Sequence, residues 1–168
     1  IEGRNPVLEA LRAGRKLYKI IIAGNAGGHS APAEIISIAH SRKIPVEYAG
    51  KETLDRMSST RSHQGVIACV AGKQYVAVED LLEISKRKNE PPLYCVLDGI
   101  EDPQNFGAIL RTADAGGIHG VIIRSHRAVG ITAAVSKASA GAVEYVPVAV
   151  VANISQSIEK LKKQNIWV

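Results

Sequence analysis

The sequence contains few aromatic residues and few cysteines, two residue types that mark particular classes of protein. Aromatic residues make up 4% of its 168 residues, and it has two cysteines. So few aromatic side chains argue against a base-stacking platform of the single-strand-binding kind. Cys69 and Cys95 are isolated in apolar, strand-like runs, which favours small buried hydrophobes over a disulfide or a metal ligand. This cysteine usage predicts a reducing, cytoplasmic setting.

Long apolar runs are also missing. The longest, residues 20–23 and 146–152, fall far short of the ~20 residues that cross a bilayer. No basic and apolar leader precedes the first predicted helix, so we expect no export and no membrane contact. The histidines are scattered, and none has the spacing to acids or cysteines that a metal site needs. We therefore expect no metal.

The charge is positive and unevenly distributed. Lys and Arg number 21 against 16 Asp and Glu, a formal charge of +5. Residues 1–92 carry 14 basic and 10 acidic side chains, hence +4, whereas residues 93–168 carry 7 and 6, hence +1. A polyanion contact is therefore predicted in the first half. With 46% hydrophobic and 22% charged residues, the chain has the composition of a folded globular protein.

Hydrophobic periodicity predicts alternating helices and strands in both halves. The first helix is expected to have Asn5 as its N-cap and Pro6 at its first position. Further helices are predicted over 32–42, 51–57, 105–115, 132–139 and 154–163, and strands over 19–23, 46–48, 65–71, 93–97, 121–123, 145–151 and 166–168. The fold class is therefore α/β, with a parallel sheet in the second half.

A charged segment that ends in two prolines separates the two halves. Residues 73–92 contain an amphipathic stretch, the basic triplet 86–88, and Pro91 and Pro92, a texture typical of linkers. We predict a domain over 1–72, a linker over 73–92 and a second domain over 93–168. The basic triplet is either an RNA contact or a solvated face of the linker.

Polar residues are concentrated after the strand predicted at 93–97. The carboxyl ends of parallel strands are where ligands gather. In this turn Asn105 could cap the following helix, and Gly107 could let a ligand backbone approach closely. Arg111 lies one helical turn beyond Gly107 on the same face. The alternative is a capped helix with an exposed arginine.

Several of these segments resemble one family. Residues 102–113, DPQNFGAILRTA, resemble the first signature motif of the SpoU or TrmH family of RNA ribose methyltransferases. Residues 3–11, GRNPVLEAL, and 63–66, HQGV, are similar to the beginning and end of the family's substrate-binding domain. Residues 137–142, KASAGA, and 146–148, VPV, are similar to its middle segment. The resemblance covers essentially the whole chain.

This resemblance implies a small ribosomal-protein-like RNA-binding domain, followed by the first part of a parallel-sheet catalytic domain of the trefoil-knot type. It implies a homodimer that transfers a methyl group from S-adenosylmethionine to a ribose 2′-hydroxyl in RNA, above all ribosomal RNA. The family's last two signature motifs, which supply most of the cofactor pocket and the knot, are absent from the 168 residues. The cofactor-binding residues are thus expected beyond Val168, in a longer protein.

The resemblance assigns catalytic roles to Asn105 and Arg111. A guanidinium donates five N–H groups and accepts none, so we expect Arg111 to grip a phosphate and stabilise developing alkoxide charge rather than to abstract the proton. Asn105 would position the ribose or Arg111. A 2′-hydroxyl target restricts the reaction to RNA over DNA.

RNA contacts are expected from the first domain, at Arg4, Asn5, Glu9, Arg12, Arg15, Lys16, Arg61, His63 and Gln64. The structural alternatives are an ordinary capped basic helix for the residues before 17, and a loop fixed by hydrogen bonds for His63.

Two other classes of function stay open at this point. The first is a non-catalytic RNA-binding protein on the same scaffold, which the missing motifs would favour if 168 residues were the whole gene product. The second is a doubly wound nucleotide-binding enzyme. Gly24, Gly27 and Gly28 lack the phosphate-loop and dinucleotide spacings, which counts against the second class.

Overall fold

A computed structural model describes residues 1–24, 33–59 and 62–168 of the chain. Its elements, in chain order, are α1 (Arg4–Arg12), β1 (Leu17–Ala23), α2 (Ala33–Ser41), β2 (Val46–Ala49), α3 (Lys51–Met57), β3 (Val66–Val70), α4 (Val78–Lys88), β4 (Tyr94–Leu97), α5 (Pro103–Ala115), β5 (Gly120–Arg124), α6 (Ala133–Ala138), a 3-10 helix (Ala142–Glu144), β6 (Val148–Val151) and α7 (Ile154–Lys163). Arg61, Gly27 and Gly28 lie outside the described residues. Within the described ranges, no helix has the length and apolar character needed to cross a bilayer.

The first three strands form a mixed sheet in the order β2-β1-β3. β1 runs parallel to β2 and antiparallel to β3. The helices α1 and α2 pack on one face of this sheet, where Leu11, Ile20 and Ile35 are fully buried. Leu54 of α3 covers Ile21 and Ile67 on the other face. Burial of both faces therefore gives the first half a core of its own.

The last three strands form a parallel sheet in the order β4-β5-β6. Alternate residues of a strand point to opposite faces. Val121 and Ile123 accordingly contact the core formed by Phe106 of α5, whereas Ile122 packs against Leu81 of α4 and against α7. The second sheet thus lies between α5 on one face and α4 and α7 on the other. This arrangement confirms the α/β class with a parallel sheet that the sequence predicted.

Three of the predicted elements differ from the structure. α1 begins at Arg4 with Gly3 as its N-cap, rather than after Asn5, because Gly3 adopts a φ of 98° and turns the chain into the helix two residues earlier. Residues 166–168 form no strand; the backbone N–H of Ile166 donates to the carbonyl of Leu161 and closes the end of α7. The strand predicted over 145–151 begins only at Val148, after the 3-10 helix.

The segment predicted as a linker, 73–92, is structured and packs on the second sheet. It contains α4, whose Leu81 is almost fully buried, and Val76 forms a bridge to Ala149 of β6. At its end, buried His119 pairs through Nε2 with Glu90 at 3.0 Å and accepts a hydrogen bond from the backbone of Leu93 at Nδ1. The division into domains stays a prediction, but α4 belongs to the layers around β4-β5-β6.

Candidate active site

The turn between β4 and α5 is capped by an aspartate. The carboxylate of Asp102 accepts a hydrogen bond of 2.7 Å from the backbone N–H of Asn105, and Pro103 occupies the first helical position. The prediction that Asn105 caps this helix is therefore wrong, because Asp102 lies at the position from which a side chain reaches the first turn. In the described ranges the side-chain amide of Asn105 has no hydrogen-bond partner, and it is exposed.

The capping geometry gives a direct test by substitution. We expect Asp102→Ala to lower the free energy of unfolding by about 1 kcal/mol, because it removes the acceptor from an otherwise unpaired N–H. Asn105→Ala serves as the matched control, with an expected change of about 0.5 kcal/mol or less. Urea unfolding followed by circular dichroism measures both. A larger loss for Asn105→Ala than for Asp102→Ala would contradict the assignment of the cap.

Gly107 has a packing role rather than a ligand-binding one. A Cβ atom at this position would lie 2.7 Å from the carbonyl carbon of Ala138 and 2.8 Å from the backbone nitrogen of Ser139. The end of α6 therefore fills the space that the sequence assigned to a ligand. This close approach of α5 and α6 brings residues 139–142 beside Arg111.

Arg111 lines a cleft that both halves of the chain form. The cleft has a volume of about 270 Å³, and its walls are Glu9 of α1, Arg111 and Asp114 of α5, residues 139–142, and Tyr145. Arg111 is exposed, and its guanidinium has no hydrogen-bond or ion-pair partner in the part of the chain that the structure describes. The described contacts therefore leave this cation available for an external anion.

Asn105 does not line this cleft. It lies on the first turn of α5, about 9 Å from Arg111 along the helix axis. Asn105 is at the carboxyl edge of the second sheet, whereas Arg111 faces the first half of the chain. The structure thus brings Glu9 and Arg111 together, and it separates the two residues to which the family resemblance assigns catalysis.

Tyr145 closes one end of the cleft. Its hydroxyl donates to Oε2 of Glu9 at 2.7 Å. Partial burial, and then the hydrogen bond to the Glu9 carboxylate, raises the pKa of Tyr145 to about 12. Near neutral pH the phenol is therefore a hydrogen-bond donor, and it is no candidate for the general base of a reaction in this cleft.

Two of the basic residues predicted to contact RNA have acidic partners. Arg12 pairs with Glu9 at 2.9 Å and with Glu34 at 2.7 Å, and the hydrogen bond to Glu34 raises the pKa of Arg12. Arg15 pairs with Glu144 at 2.5 Å, where the side chains are 12% and 1% exposed. The acidic partners partly neutralise the positive charges of Arg12 and Arg15, so these two side chains attract an RNA phosphate less strongly. Lys16, by contrast, is exposed and lies over the ring of Tyr18.

Three other predicted RNA contacts lie together at the start of α1. The backbone N–H of Arg4 donates to the side-chain oxygen of Gln64 at 3.1 Å, and Nε of Arg4 donates to the backbone carbonyl of Gln64 at 3.2 Å. Asn5 is exposed beside them.

His63, the fourth predicted contact of this region, is buried, with its Nδ1 accepting from the backbone N–H of Gly65 and its Nε2 paired with Asp55 at 2.9 Å. These contacts favour the loop-fixing alternative for His63.

Sequence reasoning missed Asp114, Glu144 and Tyr145. A usable signal was present for Glu144, because it is a lone carboxylate in the apolar run 142–151. A charge in such a run needs a partner when the run is buried. Its partner, Arg15, is so distant in sequence that no local pattern predicts the pair.

In the described ranges, no group of three or more His, Cys, Asp and Glu residues could hold a metal ion. Both cysteines are unpaired and partly buried, and burial raises the pKa of Cys95, which lowers its reactivity as a nucleophile.

Comparison with known families gives two matches that together span nearly the whole chain. The model of the SpoU rRNA Methylase family matches residues 92–168. A second model, described as RNA 2'-O ribose methyltransferase substrate binding, matches residues 1–76.

Similar proteins carry names from the same family. YacO of Bacillus subtilis (strain 168), whose name places it in the TrmH family of tRNA/rRNA methyltransferases, is 45% identical over 166 residues, which are 99% of this chain and 66% of YacO. A protein of Staphylococcus aureus (strain MSSA476) with the same family name is 41% identical over 168 residues, which cover 100% of this chain and 67% of that protein. The chain thus spans about two thirds of the length of these relatives.

Solved structures share the fold. The SpoU methyltransferase AviRb from Streptomyces viridochromogenes, in complex with AdoMet, gives a TM-score of 0.74 at 22% identity over 98% of this chain and 59% of AviRb. An AdoMet-bound rRNA methyltransferase from Sinorhizobium meliloti gives 0.71 at 23% identity, over 96% and 57% of the two chains. At such identities the likeness extends to the arrangement of helices and strands.

Proposed function

Because the chain belongs to the SpoU family of RNA methyltransferases, we propose that the complete protein transfers a methyl group from S-adenosylmethionine to a ribose 2′-hydroxyl in ribosomal RNA. The observation that carries this proposal is the Arg111 guanidinium, which lies in a cleft between the two halves of the chain without a partner among the described residues. The match of residues 1–76 to a substrate-binding domain supports RNA as the substrate.

Methyl transfer to a hydroxyl is an in-line displacement that needs positioning and charge stabilisation. The ribose oxygen would form a bond to the methyl carbon as the carbon–sulfur bond breaks, the bonding pair would stay on the sulfur of the leaving thioether, and the hydroxyl proton would pass to water. The donor supplies an electrophilic methyl group on a sulfonium. The protein has to hold the oxygen near that carbon and stabilise the negative charge that develops on it.

Arg111 fits the second requirement. Its planar group of N–H donors matches a phosphate and reaches a neighbouring ribose oxygen. We propose that it binds the phosphate next to the target ribose and stabilises the developing alkoxide. Asn105, exposed on the first turn of the same helix, would position the ribose. Neither role requires the guanidinium to lose its proton.

The first domain would supply RNA affinity. Arg4, Asn5, Gln64 and Lys16 present exposed or half-exposed polar groups, so we retain them as the proposed contacts. Glu9, Arg12 and Arg15 have partners within the protein, and Arg61 lies outside the described residues. We further propose a homodimer that acts in the cytoplasm on ribosomal RNA.

The clefts nearest the candidate site are small and open. The cleft beside Arg111 and a second cleft at the carboxyl end of β6 have volumes of about 270 and 320 Å³ and are open to solvent, close to the lower limit for ligand pockets. A larger cleft of about 580 Å³ lies between α4, residues 89–92 and the end of α7, and Arg111 does not line it. We therefore assign no donor contacts to these 168 residues.

A labelling experiment tests the proposal. The complete gene product is incubated with bacterial ribosomal RNA and S-adenosylmethionine that carries a tritiated methyl group, and the RNA is then hydrolysed in alkali. Alkaline cleavage uses the free 2′-hydroxyl, so a 2′-O-methyl group leaves the label in an alkali-resistant dinucleotide. Single-stranded DNA is the control substrate, because it lacks the 2′-hydroxyl.

Three outcomes are informative. Label in an alkali-resistant dinucleotide supports the proposal. Label in mononucleotides means that a base is methylated and that the ribose assignment is wrong. Salt-dependent RNA binding without transfer supports the non-catalytic alternative instead.

A further inference from the structure

The two halves of the chain meet through a specific polar contact. Arg15, just after α1, donates Nη1 to the carboxylate of Glu144 at 2.5 Å, and Nζ of Lys73 donates to the backbone carbonyl of Glu144 at 2.7 Å. Arg15 also donates Nε and Nη2 to the carbonyl of Ala71. The guanidinium is thus oriented within the first half before it reaches its partner in the second.

Burial of the Arg15–Glu144 pair favours one arrangement of the two halves of the chain. The Glu144 side chain is 1% exposed and that of Arg15 is 12% exposed. A buried carboxylate without a partner is costly, so Glu144 stays in this position only while a cation faces it. The groups that face it are Arg15 and Lys73, so the pair fixes one arrangement of the two halves.

The shape of the contact is equally restrictive. Gly141 has a φ of 98°, and a Cβ atom there would lie 2.5 Å from both Cβ and Cγ of Glu9. A helix can approach this closely only because residue 141 is glycine. The Tyr145 hydroxyl then binds the Glu9 carboxylate at 2.7 Å. Glu9 is thereby held in the wall of the cleft that contains Arg111.

We infer that residues 141–145 form a docking surface that fixes the RNA-binding domain against the catalytic domain, and that Glu144 is a positioning residue which makes Glu9 and Arg111 two walls of one target-nucleotide cleft. The inference rests on the proposed function for the identity of the nucleotide. In this arrangement RNA held by the first domain enters the cleft at a fixed distance from Arg111. Docking therefore acts on the rate of transfer more than on RNA affinity.

Docking can be measured without any activity. Spin labels are placed at Arg42→Cys and Ser125→Cys, two exposed positions in different domains, in a protein in which Cys69 and Cys95 are replaced by alanine. Double electron–electron resonance spectroscopy gives the distribution of distances between the two spin labels. The labelled protein is diluted into an excess of unlabelled protein, so that distances between the subunits of the proposed homodimer do not contribute. We then expect one narrow distribution in the parent protein, and a broad, longer one after Glu144→Gln or Arg15→Met.

Matched variants separate docking from stability. Glu159→Gln makes the same chemical change in an exposed pair with Lys162 on α7, and it should leave the distribution narrow. Tyr145→Phe removes one hydroxyl from the contact and preserves the ring. It is therefore a mild variant that tests docking even if Glu144→Gln does not fold.

Transfer to ribosomal RNA by the complete gene product is the second readout. We expect Glu144→Gln to lower kcat by about 10-fold or more, because small displacements of a reacting group slow a reaction strongly. Its Kd for RNA, from filter binding, should stay within about 2-fold. Glu159→Gln should match the parent protein in both. A loss of fold alone would instead lower the active fraction and RNA binding together.

Each result decides a different statement. A broad distribution in the parent protein, or an unchanged one in Glu144→Gln and Tyr145→Phe, overturns the docking surface. Disrupted docking with unchanged kcat overturns the positioning role. If the parent protein transfers no methyl group, the proposed function fails, while the distance measurement still decides whether the domains dock.

Discussion

Replacing Arg111 by alanine is expected to lower kcat for methyl transfer by about 100- to 1,000-fold, the range seen when one preorganised donor is removed from a developing oxyanion. The guanidinium is the unpartnered cation of the cleft, so no described neighbour can take its place. RNA binding should fall little, since one phosphate contact among several is lost. Label transfer from S-adenosylmethionine to ribosomal RNA measures kcat, and filter binding measures Kd.

Two further variants distinguish the charge of Arg111 from its donor geometry, and Arg111 from the rest of the cleft wall. Arg111→Lys keeps the charge but loses the planar pair of donors, so it should recover part of the rate and not all of it. Asp114→Asn alters the same cleft wall without removing the cation, and it should stay within about 10-fold of the parent. Wild-type kcat in Arg111→Ala, with RNA bound normally, would remove Arg111 from the mechanism.

The second large effect concerns stability. We expect Gly107→Ala to lower the free energy of unfolding by about 3 kcal/mol, at the upper end of the usual cost of overpacking. The added methyl would meet backbone atoms of Ala138 and Ser139 at 2.7 and 2.8 Å, and backbone cannot rotate away as a flexible side chain can. Urea unfolding of the two proteins gives the difference.

This prediction opposes the one from helix propensity. Alanine is preferred over glycine by about 1 kcal/mol inside a helix, so propensity alone predicts that Gly107→Ala stabilises α5. Gly72→Ala is the control, since Gly72 has open space around it and no positive φ; its stability should be unchanged or slightly higher. A stabilised Gly107→Ala protein would mean that α5 and α6 pack less closely than described.

The sequence predicted the elements well wherever a local pattern determines them. The strands of both sheets and α5 follow from β-branched runs and from helical periodicity, and they lie within a few residues of the expected positions. The segment 102–113, on which the predicted family resemblance rests, lies within residues 92–168, which match the SpoU rRNA Methylase family. Its cap was misassigned because Asp102 and Asn105 are both good capping residues, and only the start of the helix distinguishes them.

Long-range contacts could not be predicted in the same way. Whether Arg15 faces solvent or Glu144 depends on how the two halves of the chain pack, and no periodicity contains that information. The same holds for Gly107, where a glycine in a first helical turn is equally compatible with a ligand and with another helix. The cleft between Glu9 and Arg111 is therefore a result of the structure.

The position of α4 has a practical consequence for dissecting this protein. Leu81 and Val78 cover Ile122 and Ala149 of the second sheet, and Gly120 lies so close to Leu81 that a side chain at position 120 would collide with it. A recombinant fragment that starts at the family boundary near residue 92 loses this layer and exposes apolar sheet surface to water. Fragments intended to isolate the second sheet should therefore begin before Lys73, so that the sheet keeps its cover.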